Sequence, residues 1–302
     1  MRERRIRALT GLAYEEFVKL LTHFEQKIEQ AKWDDYEKNK AVRKRKPGGG
    51  QKGKLKTMSL KLFFLLYYLR NYPTFDVLGD RFGLDESNAN KQVHKLLPHL
   101  IEGLQEMGML PVRHFASIEE MQAAFAGIEE LFIDATERPH RRPKDSKAQR
   151  EKYSGKQKEH TVKNTVISDA RKRILFLGYT IYGSKHDYSL LKDEFPPEMD
   201  WFATFKVWVD LGYLGIRTDY NAVALHIPHK KPRKSKKNPK PTLTDEQKEQ
   251  NRQISQVRIG VENAIGRMKW FDSVSAKFRN RKPTFADDVA LVTAGLANLM
   301  LP

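Results

Sequence analysis

The sequence predicts a mixed α/β domain preceded by an all-α region. Five short apolar runs have strand length and end in polar turns: "LFIDATE" (131–137), "HTVKNTVISD" (160–169), "RILFLGYTI" (173–181), "FKVWVDLGY" (205–213) and "AVALHIP" (222–228). Before residue 115 the apolar positions instead recur with helical spacing. A short helical pattern at 187–195 and a long one at about 243–270 are interleaved with the strands, giving the order strand, strand, strand, helix, strand, strand, helix. The interior strands read as continuous apolar runs, as in a sheet covered on both faces.

The all-α region opens with a helix over 13–31, marked by Phe17, Leu20, Leu21, Phe24 and Ile28. A second runs from Met58 to Arg70. A short helix over 74–82, a turn around Gly83 and a helix over 87–97 follow, with Asp85 or Ser87 as cap. Helix, Gly-containing turn, helix is the helix-turn-helix pattern, which many purely structural hairpins share. Its last helix would present Asn88, Asn90, Lys91, Gln92 and His94 outward, and Asn, Gln and Lys suit base edges and phosphates. Ser117 and Glu120 have capping-box spacing at the start of a helix over 118–126.

Charge narrows the partners. The 302 residues carry a formal net charge of +17, which points to a polyanion. The longest apolar run, "LKLFFLLYYL" at 60–69, is about half of the ~20 residues a membrane span needs, and no signal peptide is read. With no cysteine, disulfides and thiolate zinc sites are excluded, and a cytosolic setting is expected. Cations cluster in three Pro- or Gly-containing tracts read as loops, at 43–56 (including Arg43, Lys44, Arg45 and Lys46), 138–158 and 229–241. Such tracts serve as solvated linkers or as phosphate contacts. The expected divisions are an N-terminal helix and basic linker (1–57), a helix-turn-helix domain (58–115) and an α/β domain (116–302) that includes the basic loop 229–241.

Two strands end in acids, Asp134 in "FIDAT" and Asp210 in "WVDLGY". Either can be a turn or cap residue, yet strand ends are where α/β sites gather. In "VRIGVENAIGRMKW" (257–270), Val257, Val261, Ala264 and Met268 make an apolar stripe, and Arg258, Glu262, Ile265 and Lys269 the stripe beside it. An Arg and a Glu four apart commonly make a solvated pair. If Glu262 joins the two aspartates, three carboxylates converge, and only a cation makes that favourable. An all-oxygen set suits Mg²⁺ or Mn²⁺, two ions of which would serve phosphoryl transfer. Trp208 and Trp270 lie on apolar faces and are expected in the core.

The stretches "FIDATERPHRRPKD", "YSGKQKEHTVKN", "GSKHDYSLL", "VDLGYLGI" and "NRQISQVRIGVENAIGRMKWF" resemble the DDE transposases of bacterial insertion sequences, in particular the insertion-sequence-five family. The resemblance covers about residues 55–285. It implies a ribonuclease H-like five-stranded mixed sheet with flanking helices behind the helix-turn-helix domain. It implies Asp134, Asp210 and Glu262 as the metal-binding triad, with two Mg²⁺ or Mn²⁺ ions. The activity implied is cleavage at terminal inverted repeats and joining to target DNA, by a homodimer or higher oligomer, in the bacterial cytoplasm at the nucleoid. Arg258, Glu262 and Lys269 match the family's Tyr-Arg-Glu-Lys signature, whose Tyr position holds Ser255. Arg258 and Lys269 would then hold phosphates. Asp187 and His186 match "GSKHDYS", where Asp187 is a helix cap, a further group near the site, or the second metal ligand in place of Asp210. Lys156 and His160 match "YSGK…H", a loop approaching the DNA backbone or a tight turn. A DNA-binding protein without catalysis, and a nuclease that does not join, are the alternatives.

Overall fold

The structure is a computed structural model and describes residues 3–42, 46–48, 53–234, 239–282 and 284–302. Two compact units form, one from residues 1–110 with 268–302, the other from 111–267. Residues 268–302, expected in the α/β domain, thus pack with the N-terminal helices.

The first unit contains α1 (Glu3–Thr10), α2 (Tyr14–Asn39), α3 (Met58–Asn71), α4 (Phe75–Phe82) and α5 (Glu86–Glu106). It is completed by α11 (Asp272–Ser275) and α12 (Phe285–Leu299). Side-chain caps start three of these helices. Thr57 accepts from the Leu60 amide, Thr74 from that of Val77 and Asp85 from that of Asn88. The helix-turn-helix depends on two glycines. Gly83 ends α4 in the left-handed region (φ 66°), where a Cβ is strained. Gly79 lets the Leu84 backbone close over α4, and a Cβ there would lie 2.4 Å from the Leu84 carbonyl oxygen. Helix α5 runs nine residues past the expected end at 97, through Pro98. Burial of Leu97, Leu100 and Leu104 outweighs the ~3 kcal/mol that an interior proline costs. Helix α12 was not read from the sequence. Its Val289, Val292 and Leu296 join Leu100 and Leu104 in one core. Trp270 is corrected from core to surface. It is 43% exposed, and the Arg70 guanidinium lies over its ring at 4.2 Å.

The second unit begins with α6 (Ile118–Ala124) and β1 (Glu130–Pro139), followed by α7 (Ser146–Lys152) and β2 (Tyr153–Ser154). Next come β3 (Glu159–Ser168), β4 (Ile174–Leu177), β5 (Ile181–Tyr182), α8 (Asp187–Glu194), β6 (Lys206–Trp208), α9 (Ile216–Asp219), β7 (Ala224–His226) and α10 (Asp245–Lys269). The sheet order is β2-β3-β1-β6-β7, with β4 and β5 both on β3. Strand β1 is antiparallel to β3 and parallel to β6, which is parallel to β7. This is the ribonuclease H-like mixed sheet. The run read as one strand at 173–181 is two, β4 and β5, and at Gly178 between them the Glu194 carboxylate packs where a Cβ would stand. Within the tract 138–158, read as loop, α7 forms on an Asp145 cap that accepts from the Ala148 amide at 2.7 Å. In the tract 229–241 the described residues hold no helix or strand. Arg43, Lys44 and Arg45 lie outside the described residues, and Lys46 is exposed. No described helix is long and apolar enough to cross a membrane.

Replacing Gly79 by Ala forces Leu84 away from α4. We expect a loss of about 1–3 kcal/mol in thermal or urea unfolding, with weakened DNA binding. Unchanged values for both would show that the turn does not need this approach.

Candidate active site

Asp134 lies midway along the central strand β1, directly opposite Val166 of β3, and not at a strand end as expected, because pairing with β3 continues to Pro139 opposite Thr161. Its Oδ1 accepts from the Ala135 amide at 2.8 Å, and its Oδ2 meets an Arg258 guanidinium nitrogen at 3.3 Å. The two side chains are only 22% and 11% exposed. Burial, against the pull of the Ala135 amide and Arg258 and with the charges of Asp210 and Asp187, raises the Asp134 pKa to about 6. The three aspartates therefore share one electrostatic neighbourhood.

Each neighbour is held differently. Asp210 follows β6 and caps a 3-10 turn, its Oδ1 accepting from the Gly212 amide at 2.7 Å. Gly212 allows this fold-back, since a Cβ would stand 2.9 Å from that oxygen. Asp187 is the first residue of α8, and the cap is His186, whose Nδ1 accepts from the Tyr188 amide. Asp187 pairs at 2.8 Å with Lys163 of β3, which also donates to the Lys185 carbonyl. Below these acids Tyr213 is wholly buried. Its hydroxyl has no hydrogen-bond partner among the described residues. Burial, then the charges of Asp134, Asp187, Asp210 and Glu194, push that phenol's pKa well up.

Glu262 stands apart from this group. It is exposed on α10 and makes no hydrogen bond or ion pair among the described residues. The buried face of α10 is Val261, Ala264, Ile265 and Met268, while Val257, expected on it, is 40% exposed. Glu262 follows Arg258 by one turn, so the residue of that stripe which reaches Asp134 is the arginine. Lys269 is exposed and belongs to the helical unit. Lys156 is exposed in the β2–β3 turn, where Ser154 accepts from the Gln157 amide. His160 packs edge-on against Tyr153 across the hairpin. Neither contacts the acids. In the helical unit Lys91 is exposed, and Asn88 and Gln92 lie one turn apart on the same stripe of α5. Asn90 opens on a different cavity, beside Arg279 and Arg281. His94, expected outward, is half-buried against Phe285 with Asn280 as partner.

The donor set fits a hard divalent cation. It is oxygen only, and like charges crowd around Asp134. No group of three or more His, Asp or Glu side chains among the described residues is drawn together tightly enough to cage an ion. Mg²⁺ does not need such a cage, because it commonly takes one or two carboxylates and keeps waters.

Sequence reading missed Lys163 and Tyr213. For the first a signal existed: one lysine inside the otherwise neutral run "TVKNTVIS" needs a buried anion.

An acid-bearing ribonuclease H-like sheet and a helix-turn-helix unit together define a class of DNA-processing endonucleases. A family model described as the DDE superfamily endonuclease matches residues 133–298. The helix-turn-helix of DDE superfamily endonuclease matches residues 53–106. The chain is 33% identical over 270 residues, 87% of either chain, to a probable transposase for insertion sequence element IS702 from Microchaete diplosiphon. No solved structure matches. The chain belongs to the DDE transposases of insertion sequences.

Two outcomes are expected without metal. An Asp with its folded pKa raised is neutral in both states below about pH 4. It then costs stability increasingly as pH rises to about 6, where the raised value lies. Asp134→Asn should therefore melt above wild type at pH 7.5, the gap closing by about pH 4. A gap independent of pH would refute the raised value. Tyr213→Phe removes an unpartnered buried hydroxyl and should stabilise by about 1 kcal/mol, read from urea midpoints.

Proposed function

We propose that the protein is a transposase that binds the terminal inverted repeats of its element, cuts there and joins the freed ends to target DNA. The observation that carries this is the buried Asp134 carboxylate, raised to about 6 with Asp210 and Asp187 around it. Folding has concentrated anionic charge on the central strand of a protein whose net charge is +17. The natural relief is cation binding, and the natural substrate is a polyanion.

Asp134 and Asp210 would hold two Mg²⁺ or Mn²⁺ ions, with Glu262 as third ligand by position in the family. Bound there, the ions supply activation of the attacking oxygen and stabilisation of the leaving one. The chain's own residues do the rest. Arg258 neutralises Asp134 and is placed to grip a phosphate beside it. Lys163 fixes Asp187, the alternative second acid, at the start of α8. The Gly212 amide orients Asp210. Lys269, Lys156 and His160 would contact the DNA backbone, and Asn88, Asn90, Lys91 and Gln92 would engage the duplex. Arg43, Lys44, Arg45 and Lys46 add charge to that engagement. Action on paired ends implies a homodimer or higher oligomer, working in the cytoplasm on nucleoid DNA.

The exposure of Glu262 favours a second reading, a DNA-binding protein that does not cut. One experiment separates the two. Labelled terminal repeats are incubated with wild type, Glu262→Gln and Asp187→Asn, in Mg²⁺ and then Mn²⁺, and new 3′ ends and joined products are mapped. We expect metal-dependent ends and joints from wild type, a loss of at least ~10³-fold with Glu262→Gln, and near-normal cleavage with Asp187→Asn. The reverse pattern makes Asp187 the third ligand. Cleavage without joints means a nuclease. Binding without cleavage in either metal supports the second reading.

A further inference from the structure

A cavity of about 490 Å³ in the helical unit is lined by cations from four parts of the chain. Lys32 comes from α2, Lys54 and Lys56 from the segment before α3, Lys61 from α3, and Lys95 and His99 from α5. Its floor is apolar, with Ile28, Leu55 and Leu96. No Asp or Glu is among the lining residues. Acids around it pair with lining residues, Glu29 with Lys32, Glu102 with His99 and Asp85 with Asn88.

Such a concentration is unfavourable as it stands. Burial, then the charges of Lys32 and Lys95, lower the Lys61 pKa below the ordinary lysine value, and Glu29 offsets this only in part. Lysines on a convex surface swing apart into water. In a cleft with low-dielectric walls their fields add. The same stripe of α5 carries Asn88 and Gln92 into the cavity at one end and Lys95 and His99 along it. The cleft therefore continues the side of the helix that the helix-turn-helix presents at its start.

We propose that this cavity is a phosphate-binding site that seats one backbone phosphate of the DNA duplex engaged by α5. Lys61 and Lys95 are its charged centre, and Lys32 lets the N-terminal helix α2 take part in DNA binding. The apolar floor suits the sugar beside the phosphate. The site fixes position along the duplex and reads no base. The inference rests on the DNA-binding reading above.

The test uses the full chain and two labelled duplexes of equal length, one a terminal repeat and one scrambled. Binding is followed by fluorescence anisotropy across a salt series for wild type, Lys61→Met, Lys95→Met and the control Lys40→Met, an exposed lysine outside the cavity. In a parallel arm, melting is followed in inorganic phosphate alone. We expect Lys61→Met and Lys95→Met to weaken both duplexes several-fold and equally. Each should flatten the slope of log K against log salt by about 0.9, with the control unchanged. Phosphate should raise the wild-type melting temperature and not that of Lys61→Met. Without ligand, Lys61→Met should melt no lower than wild type, which separates lost binding from lost folding. Unchanged affinity and slope in both variants overturn the proposal, as does weakening confined to the terminal repeat. If wild type binds neither duplex, the DNA-binding reading fails by itself. The phosphate arm then decides the cavity: a rise lost in Lys61→Met supports an anion site, and no rise overturns it.

Discussion

The contact between Asp134 and Arg258 sets the terms for the unit that holds the sheet. A carboxylate on the central strand of a covered sheet is costly, and two further aspartates in its neighbourhood make it costlier. One guanidinium from α10, 3.3 Å away, makes that concentration of charge tolerable. The helix can deliver it because Val261, Ala264 and Met268 are fully buried and fix its rotation. With those residues packed inward, position 258 is aimed at β1 and position 262 at solvent. Packing of the apolar stripe thus decides which member of the polar stripe meets the acids.

Much of this was legible in the sequence, and the reasons are specific. Five strand-length runs were legible from period and length, because runs such as "LFID" and "KVWV" are too short for helices and too apolar for loops, whereas β2 and the division of 173–181 into β4 and β5 were not. Asp134 and Asp210 stood out as the polar residues ending such runs. The reach of each polar side chain was not legible. Arg258, Glu262 and Lys269 read as one stripe at helical spacing, yet it is Arg258 that meets Asp134. Periodicity gives an angle around the helix, not a side chain's direction or partner. The same limit explains His94, which shares α5 with exposed residues but turns to Phe285, a partner 191 positions away that no local pattern announces. Helix α7 was hidden because a basic, proline-flanked tract outweighed its Asp145 cap.

The two units handle charge in opposite ways. The sheet gathers carboxylates and meets them with lysine and arginine, as Lys163 meets Asp187. The helical unit gathers lysines around a cleft that has no acid in its wall. A site that handles phosphodiesters needs negative groups where cations are to be bound. A surface that holds the same polymer needs positive ones. Separating the two along the chain keeps each concentration from cancelling the other.

The covering of α5 by α12 has a consequence for how the molecule comes into being. The helix-turn-helix segment ends at 106, but the layer that seals its apolar side is made of Val289, Val292 and Leu296, far later in the sequence. Between them the chain must first thread the whole sheet. During synthesis the recognition helix therefore exists for most of its history with an open apolar flank. A chain that stopped before Phe285 would hold every strand of the sheet and a helix-turn-helix segment without its covering layer. Such fragments would be prone to chaperone capture and proteolysis, so the helix-turn-helix segment is closed only once α12 is made.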